Sequence, residues 1–269
     1  MAMQQATDFL EESKALAGLL AALSDLDFET QTQFKGWTIN NIVRHLHVWN
    51  IAVDLSLQDE AAFGAFVAAM MEGVRGGQLP AFEASYLDGI SGQALLQAWL
   101  ERTEAVAAVF AKADPKLRLK WVGPDMSALS SITARLMETW AHAQAVYDVL
   151  GVARQDTDRI GNIVRLGVNT WGFTWKNRRQ DPPGPMPQLH LTAPSGAIWE
   201  YGEASGSGTI TGSATEFCQV VTQCRNIADT SLAVTGEVAH QWMSVAQCFA
   251  GPPQDPPPAG SRCRANRGV

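Results

Sequence analysis

The stretch Arg135-Leu-Met-Glu-Thr-Trp-Ala-His142 decides the fold of the first half of this chain. It lies inside a longer amphipathic pattern over residues 127–150, which predicts a helix that ends at Gly151. Because residues i and i+4 of a helix lie on the same face, Glu138 and His142 can reach the same point in space. A carboxylate and an imidazole that converge in this way provide two of the three protein ligands typical of a catalytic metal site.

Four further helical patterns precede this stretch, and short polar breaks separate them. They cover about residues 6–23, 38–57, 60–74 and 92–112. Thr38 is placed to cap the second of these helices. Long helices with short connections pack as an antiparallel four-helix bundle, which is the fold predicted for residues 1–154.

The second helix carries the candidates for a third ligand, His45 and His47. At about 100° per residue, His45 lies at the edge of the apolar arc, between Ile42 and Trp49, whereas His47 falls toward the solvent side. His45 is therefore the predicted ligand. Asn41 lies one turn earlier and could orient the His45 ring or a bound water.

A salt bridge is the alternative to a metal for this pair. Glu138 and His142 lie off the main apolar face, but small apolar residues surround them. A carboxylate in such a place is costly unless it is paired or coordinated. Arg135, one turn before Glu138, could neutralise it, and the spacing leaves both interpretations open.

The character of the sequence changes near residue 155. One more helical pattern over residues 156–178 is followed by a proline-rich break, short strand-like runs and two further helical patterns. This order predicts an α+β module over residues 155–251. The segment 252–269 contains runs of two and three prolines and is predicted to be disordered.

The composition excludes several classes of protein. A net charge of −7 without a basic cluster argues against nucleic acid as a partner. No apolar run approaches the roughly 20 residues of a membrane span, and the N-terminus lacks the plan of a signal peptide, so a cytoplasmic location without a membrane partner is predicted. The four cysteines form no CxxC pair and are interpreted as buried, reduced thiols. The oligomeric state is not readable from the sequence.

A set of residues in the first half of the chain resembles the signature of the DinB-like metal proteins: Gly36-Trp37-Thr38, His45-Leu46, Arg135, Glu138, Trp140, His142 and Gly151. Within that superfamily the pattern is similar to the group of mycothiol-dependent maleylpyruvate isomerase, over most of residues 5–152. The resemblance implies a DinB-like four-helix bundle that binds a divalent metal, usually zinc, through His45, Glu138 and His142.

The second module is similar to the sterol-carrier-like C-terminal domain of the same family. The segments that carry this resemblance are Pro194-Ser-Gly-Ala-Ile-Trp199 and Gly212-Ser-Ala-Thr-Glu-Phe217. Members of the family place an arginine near the end of the following helix, directed toward the metal pocket. Here the sequence reads Cys224-Arg225, and Arg225 is the candidate catalytic residue, although Cys224 could occupy the position instead.

The resemblance also implies an activity. In the family a low-molecular-weight thiol takes the open position of the metal and adds to a small unsaturated or electrophilic substrate. A metal-dependent isomerase or S-transferase follows, with Asn41, Trp49 and Arg135 as candidate substrate-binding residues. Two alternatives stay open: a thiol-independent metal hydrolase, lyase or cyclase, and a protein that binds an apolar ligand and holds a structural metal.

Overall fold

The computed structural model describes residues 2–75 and 78–265. Contacts along the backbone divide the chain into two compact units, Met1–Val149 and Leu150–Val269. The sequence places the change of module a few residues later, after residue 154.

In its described residues the first unit forms six α-helices: α1 (Gln4–Leu20), α2 (Ile39–Gln58), α3 (Glu60–Arg75), α4 (Leu79–Tyr86), α5 (Gly92–Phe110) and α6 (Ala128–Val149). Helices α1 and α2 each contact both α5 and α6, and these four helices make the predicted bundle. A two-residue antiparallel ladder, β1 (Arg118–Leu119) with β2 (Met126–Ser127), precedes α6. The prediction of a four-helix bundle is confirmed.

Large apolar side chains fill the interior of the bundle. Each of them adds about 1.5–3 kcal/mol through removal of its apolar surface from water. Those with less than 2% exposure include Trp99, Trp140, Phe9, Phe28, Phe110, Leu16, Leu20, Ile39, Ile42 and Leu46.

The start of α2 is fixed by a capping box. The Asn41 N–H donates to Thr38 Oγ1 (3.2 Å), and the Thr38 N–H donates to Asn41 Oδ1 (3.0 Å). The predicted cap at Thr38 is confirmed. The cap fixes where α2 begins, and His45 lies less than two turns further along the same helix.

Helix α4 is absent from the sequence prediction, which ends the third helix at residue 74 and then places a Gly-Gly break. In the structure both α3 and α4 pack on α2. Buried Phe63 and Phe66 lie against Phe82 of α4 and against Trp49 and Trp121. The aromatic packing holds α4 beside the middle of α2.

The described part of the second unit contains four α-helices and a four-stranded sheet. The helices are α7 (Gly161–Asn169), α8 (Trp171–Asn177), α9 (Ala214–Val221) and α10 (Glu237–Val245), and the strands are β3 (Gln188–Thr192), β4 (Ile198–Tyr201), β5 (Thr209–Ser213) and β6 (Ala233–Thr235). The strand order is β4-β3-β5-β6, with β3 and β5 parallel and the outer pairs antiparallel. Leu189, Leu191 and Ile210 of the sheet are buried, as are Phe217 and Trp242 of the helices. The predicted α+β class is confirmed.

The helix predicted over residues 156–178 is interrupted. Thr170 separates α7 from α8, and its hydroxyl donates to the carbonyl oxygens of Leu166 (2.8 Å) and Gly167 (3.0 Å). A threonine hydroxyl that bonds to the preceding turn in this way competes with the helical backbone. The apolar periodicity continues through the break, which is why the pattern predicts one helix.

The proline-rich tail carries specific contacts where the sequence predicts disorder. The Gln254 N–H donates to Gln247 Oε1 (2.9 Å), and Asn226 Nδ2 donates to the Pro257 carbonyl oxygen (2.9 Å). Prolines cannot donate, but their carbonyl groups still accept hydrogen bonds, and this fixes the segment without regular structure. Residues 266–269 of the predicted tail lie outside the described residues.

Three of the four cysteines are buried, as predicted, and Cys263 is exposed. Burial raises the pKa of the Cys218 and Cys224 thiols above their usual range. A raised pKa keeps these thiols protonated and weakly reactive.

Among the described residues, no helix has the combined length and hydropathy that crossing a bilayer requires.

Candidate metal centre

The predicted trio comes together in the first unit. His45 projects from α2, and Glu138 and His142 project from adjacent turns of α6. One potential ligand atom from each of the three lies within 4.8 Å of the others. Glu138 Oε2 lies 3.2 Å from His142 Nε2 and 3.7 Å from His45 Nε2.

These distances and donors suit a divalent metal. Two imidazole nitrogens and a carboxylate oxygen are a ligand set that catalytic zinc accepts. With bonds of about 2.0–2.1 Å, two ligands of a tetrahedral ion lie about 3.3 Å apart, close to the separations in this group. Within the described part of the chain neither His47 nor a cysteine joins the group. A tetrahedral ion held here would keep one position for a further ligand.

In the metal-free protein, the charges and the burial of this group shift the pKa values of all three residues. Burial lowers the pKa of His45, but the carboxylates of Glu83 and Glu138 outweigh burial and raise it to about 9. Burial dominates at His142 and lowers its pKa, and the two imidazoles hold the pKa of Glu138 well below its usual range in spite of burial. Without a metal, His45 therefore carries a proton at neutral pH and His142 does not.

Glu83 is a member of the site that the sequence did not reveal. It lies on α4, is fully buried, and its Oε1 accepts hydrogen bonds from His45 Nδ1 (2.7 Å) and Trp49 Nε1 (3.0 Å). A carboxylate on the far nitrogen of a metal-binding histidine is a recurrent partner of metal sites. The only sequence signal is an acidic residue in the otherwise apolar run Leu79-Pro-Ala-Phe-Glu-Ala.

Arg135 is a buried cation beside the group. Its Nε donates to Asn50 Oδ1 (3.1 Å) and its Nη2 to the Leu46 carbonyl oxygen (3.4 Å), both on α2. Burial lowers the pKa of Arg135 to about 10, while Glu138 and Glu83 act in the opposite direction. The guanidinium stays charged at neutral pH, and its hydrogen bonds go to α2 rather than to Glu138.

Aromatic rings line the two histidines. Trp37 stacks on His142, with centroids 5.9 Å apart and 2° between the planes, and contacts His45 edge-on at 5.3 Å. Phe34 meets His142 edge-on at 4.9 Å. Gly36 takes the left-handed conformation, with φ +69°, which the tight turn before α2 requires. The Gly-Trp-Thr motif thus places an indole against the group.

The other predicted site residues lie as follows. The side-chain oxygen of Asn41 accepts both hydrogen bonds from Thr38 in the capping box, and Trp49 Nε1 donates to Glu83. Arg225 follows α9 in the second unit, is half-buried, and donates to the carbonyl oxygen of its neighbour Cys224 (3.0 Å). The substrate-binding and catalytic roles of these residues stay predictions.

His47 does not face solvent as its helical angle suggests. It is 8% exposed, and burial together with the charge of Arg102 lowers its pKa to about 4. The reason is that α2 has helices packed around it (α3, α4, α5 and α6), so more than one face of it is covered. A helical angle predicts exposure only where a helix has a single buried face, and α2 has more than one.

The protein is thus a four-helix bundle with a partly buried His/Glu/His group, followed by a small α+β unit. The family model described as the mycothiol maleylpyruvate isomerase N-terminal domain matches residues 9–147. The chain belongs to this family, which confirms the resemblance seen in the sequence.

The chain is similar to two relatives and to two solved structures over most of its length. Two uncharacterized proteins of Mycobacterium tuberculosis, one from each of two strains, are 38% identical to this chain over 248 residues, which is 91% of this chain and 95% of theirs. The crystal structure of the mycothiol-dependent maleylpyruvate isomerase is 15% identical, with a TM-score of 0.55 over 88% of this chain and 92% of that one. A mutant of that enzyme gives a TM-score of 0.52 over 81% and 87%, also at 15% identity. At this identity the likeness shows the fold.

Proposed function

We propose that this protein is a divalent-metal-dependent enzyme that uses a low-molecular-weight thiol to isomerise, or to conjugate, a small unsaturated or electrophilic substrate. The observation that carries the proposal is the convergence of His45, Glu138 and His142 from two helices at separations that suit one tetrahedral ion. Zinc is the metal proposed, because the donor set is one that it prefers in catalytic sites.

When bound, the ion would act as a Lewis acid that lowers the pKa of a thiol or water. The protein's own residues prepare the place. Glu138 is the most exposed of the three candidate ligands, with 25% of its side chain accessible, so the group meets solvent on that side. Arg135 adds a fixed positive charge that favours an anion such as a thiolate, and Trp37 and Phe34 keep water from the rings.

The thiol is proposed from the name of the family and of the solved enzyme, which is mycothiol-dependent. A thiolate sulfur that adds to one carbon of a double bond leaves a single bond that can rotate. Departure of the sulfur with its electron pair restores the double bond in the other geometry. With a leaving group on the substrate, the same addition ends in transfer of the thiol. Asn41, Trp49 and Arg135 are proposed to contact the substrate, and Arg225 to assist the reaction.

Metal content and thiol dependence test the proposal. We expect about one zinc per chain after purification, and turnover of an unsaturated dicarboxylate such as maleylpyruvate only when mycothiol or another small thiol is present. Turnover that persists without any thiol would favour a hydrolase, lyase or cyclase. A purified protein without stoichiometric metal, and without metal uptake on reconstitution, would contradict the proposal.

A further inference from the structure

Glu83 has an unusual place for a carboxylate. It is 0% exposed, and its Oε2 has no protein hydrogen-bond partner among the described residues. A buried acceptor left in this state costs about 1–3 kcal/mol. An apolar side chain would avoid that cost, so the bonds made by the other oxygen, Oε1, must account for a carboxylate here.

The bonds that Glu83 does make are directed at the metal group. Both donors to its Oε1, His45 Nδ1 and Trp49 Nε1, belong to α2, one turn apart. The Nδ1 bond leaves the opposite nitrogen of His45, Nε2, facing Glu138 Oε2 at 3.7 Å. Because the two nitrogens of an imidazole point in different directions, a group that holds Nδ1 also aims Nε2.

We propose that Glu83 is a positioning residue for the metal: it accepts the Nδ1–H of His45 and so holds the ring in the tautomer and orientation that present Nε2 to the ion. This inference rests on the proposed function, because it assumes a metal at the trio. It assigns Glu83 no bond to the metal.

The second histidine of the trio supplies an internal contrast. His142 Nδ1 is buried and, within the described part of the chain, has no protein hydrogen-bond partner. Its ring is instead held by the faces and edges of Trp37 and Phe34. His142 is also tied to Glu138 by its place one turn later on α6, whereas His45 comes from another helix. His45 is therefore the ligand that most needs a hydrogen bond to orient it.

A purely structural role is the competing explanation, in which Glu83 only ties α4 to α2. Trp49→Phe is the matched control, because it removes the other donor to the same oxygen and leaves the His45–Glu83 bond intact. If the tie is all that matters, Glu83→Gln and Trp49→Phe should change the thermal stability of the metal-free protein similarly, and neither should change metal affinity.

The experiment measures the zinc affinity of the full-length wild type and of each variant by competition with a chromophoric chelator. The pH is 9.5, because protons then compete only weakly with zinc for His45. For Glu83→Gln we expect a loss of about 10–100-fold, the usual effect of changing such an outer partner. For Trp49→Phe we expect a change of less than about threefold, and for Glu83→Asp a loss smaller than that of Glu83→Gln, because the shorter carboxylate partly restores the bond. The absorption spectrum of bound Co²⁺ should change for Glu83→Gln and not for Trp49→Phe.

Affinities of Glu83→Gln and wild type within about twofold, with the same Co²⁺ spectrum, would overturn the inference. A second measurement does not depend on the variant folding. In zinc-loaded wild type with ¹⁵N-labelled histidine, long-range ¹H–¹⁵N correlation should place the His45 proton on Nδ1, and a proton on Nε2 would equally overturn it. Failure of wild type to bind zinc at all contradicts the proposed function instead, so the two failures are distinguishable.

Discussion

His45 lies between two carboxylates that differ in almost every respect except their chemistry. Glu138 comes from α6 of the bundle, is partly exposed, and lies 3.7 Å from Nε2. Glu83 comes from α4 outside the bundle, is fully buried, and lies 2.7 Å from Nδ1. The contrast teaches that one residue type serves two purposes at one imidazole. The accessible carboxylate can accept a metal, and the buried one can only hold the ring.

A substitution at Glu138 gives the largest expected difference between the two carboxylates. Glu138→Gln replaces a candidate ligand, so we expect zinc affinity to fall by more than the about 10–100-fold assigned to an outer partner such as Glu83. His142→Ala should do the same. Chelator competition on both variants gives the ranking, and circular dichroism of the metal-free proteins controls for folding. Stoichiometric zinc in Glu138→Gln at wild-type affinity would show that Glu138 is not a ligand.

The proton on His45 gives the next largest effect. Because both carboxylates raise its pKa to about 9, a metal that binds Nε2 at pH 7 must displace one proton. We expect zinc affinity to rise about tenfold per pH unit from pH 7 to about 9, and then to level off. Calorimetry at pH 7 in buffers of different ionisation enthalpy should report about one proton released per zinc.

Glu83→Gln should change the pH dependence of zinc affinity. Removing one of the charges that raise the pKa of His45 should end the rise in affinity at a lower pH. At pH 7 the variant thus gains from weaker proton competition while it loses orientation of the ring. The affinity gap seen at pH 9.5 should narrow toward neutral pH. A gap that is independent of pH would mean that Glu83 does not control the proton of His45.

The pairing of Glu138 with His142 on α6 could be predicted from the sequence. The i,i+4 spacing of Glu138 and His142 is local, so helical geometry alone brings them together. The apolar arc of α2 then selected His45 over His47. These signals work because each depends on residues within two turns of one helix.

Helix α4 and the contact of its Glu83 with His45 could not be predicted from the sequence, for physical reasons. Helix α4 has eight residues, too few for a clear apolar period, and follows a Gly-Gly break that reads as a loop. Glu83 meets His45 across 38 residues of chain, and no local pattern encodes that contact. The burial of His47 was missed for a related reason, since it depends on helices that pack on a second face of α2.

His45 and His47 lead to opposite effects of pH on the stability of the metal-free protein. The raised pKa of His45 stabilises the fold below about pH 6.5, and this contribution is lost as pH rises toward about 9. The lowered pKa of His47 means a neutral ring in the fold, so its contribution is present above about pH 6.5 and lost as pH falls toward about 4.

Each loss is at most about 3 kcal/mol by the size of the shift. Urea unfolding across pH 4–9 measures it, with His45→Gln and His47→Gln as the paired variants. We expect His47→Gln to remove much of the acid-side loss and His45→Gln much of the alkaline-side loss. The same pH profile in both variants as in wild type would contradict the opposite protonation of the two rings.

The smallest effect concerns the cap at the start of α2, the helix that carries His45. Thr38→Ala and Asn41→Ala each break the same capping box, so we expect each to lower the free energy of unfolding by about 1 kcal/mol. If Asn41 has only this structural role, the two variants should also share the same modest change in zinc affinity and the same KM. If Asn41 also contacts substrate, KM should rise in Asn41→Ala and not in Thr38→Ala. The side-chain oxygen of Asn41 already has two hydrogen-bond donors in the cap, so the pair of variants separates helix capping from substrate binding. An equal KM in both variants would mean that Asn41 does not contact the substrate and that α2 contributes His45 alone.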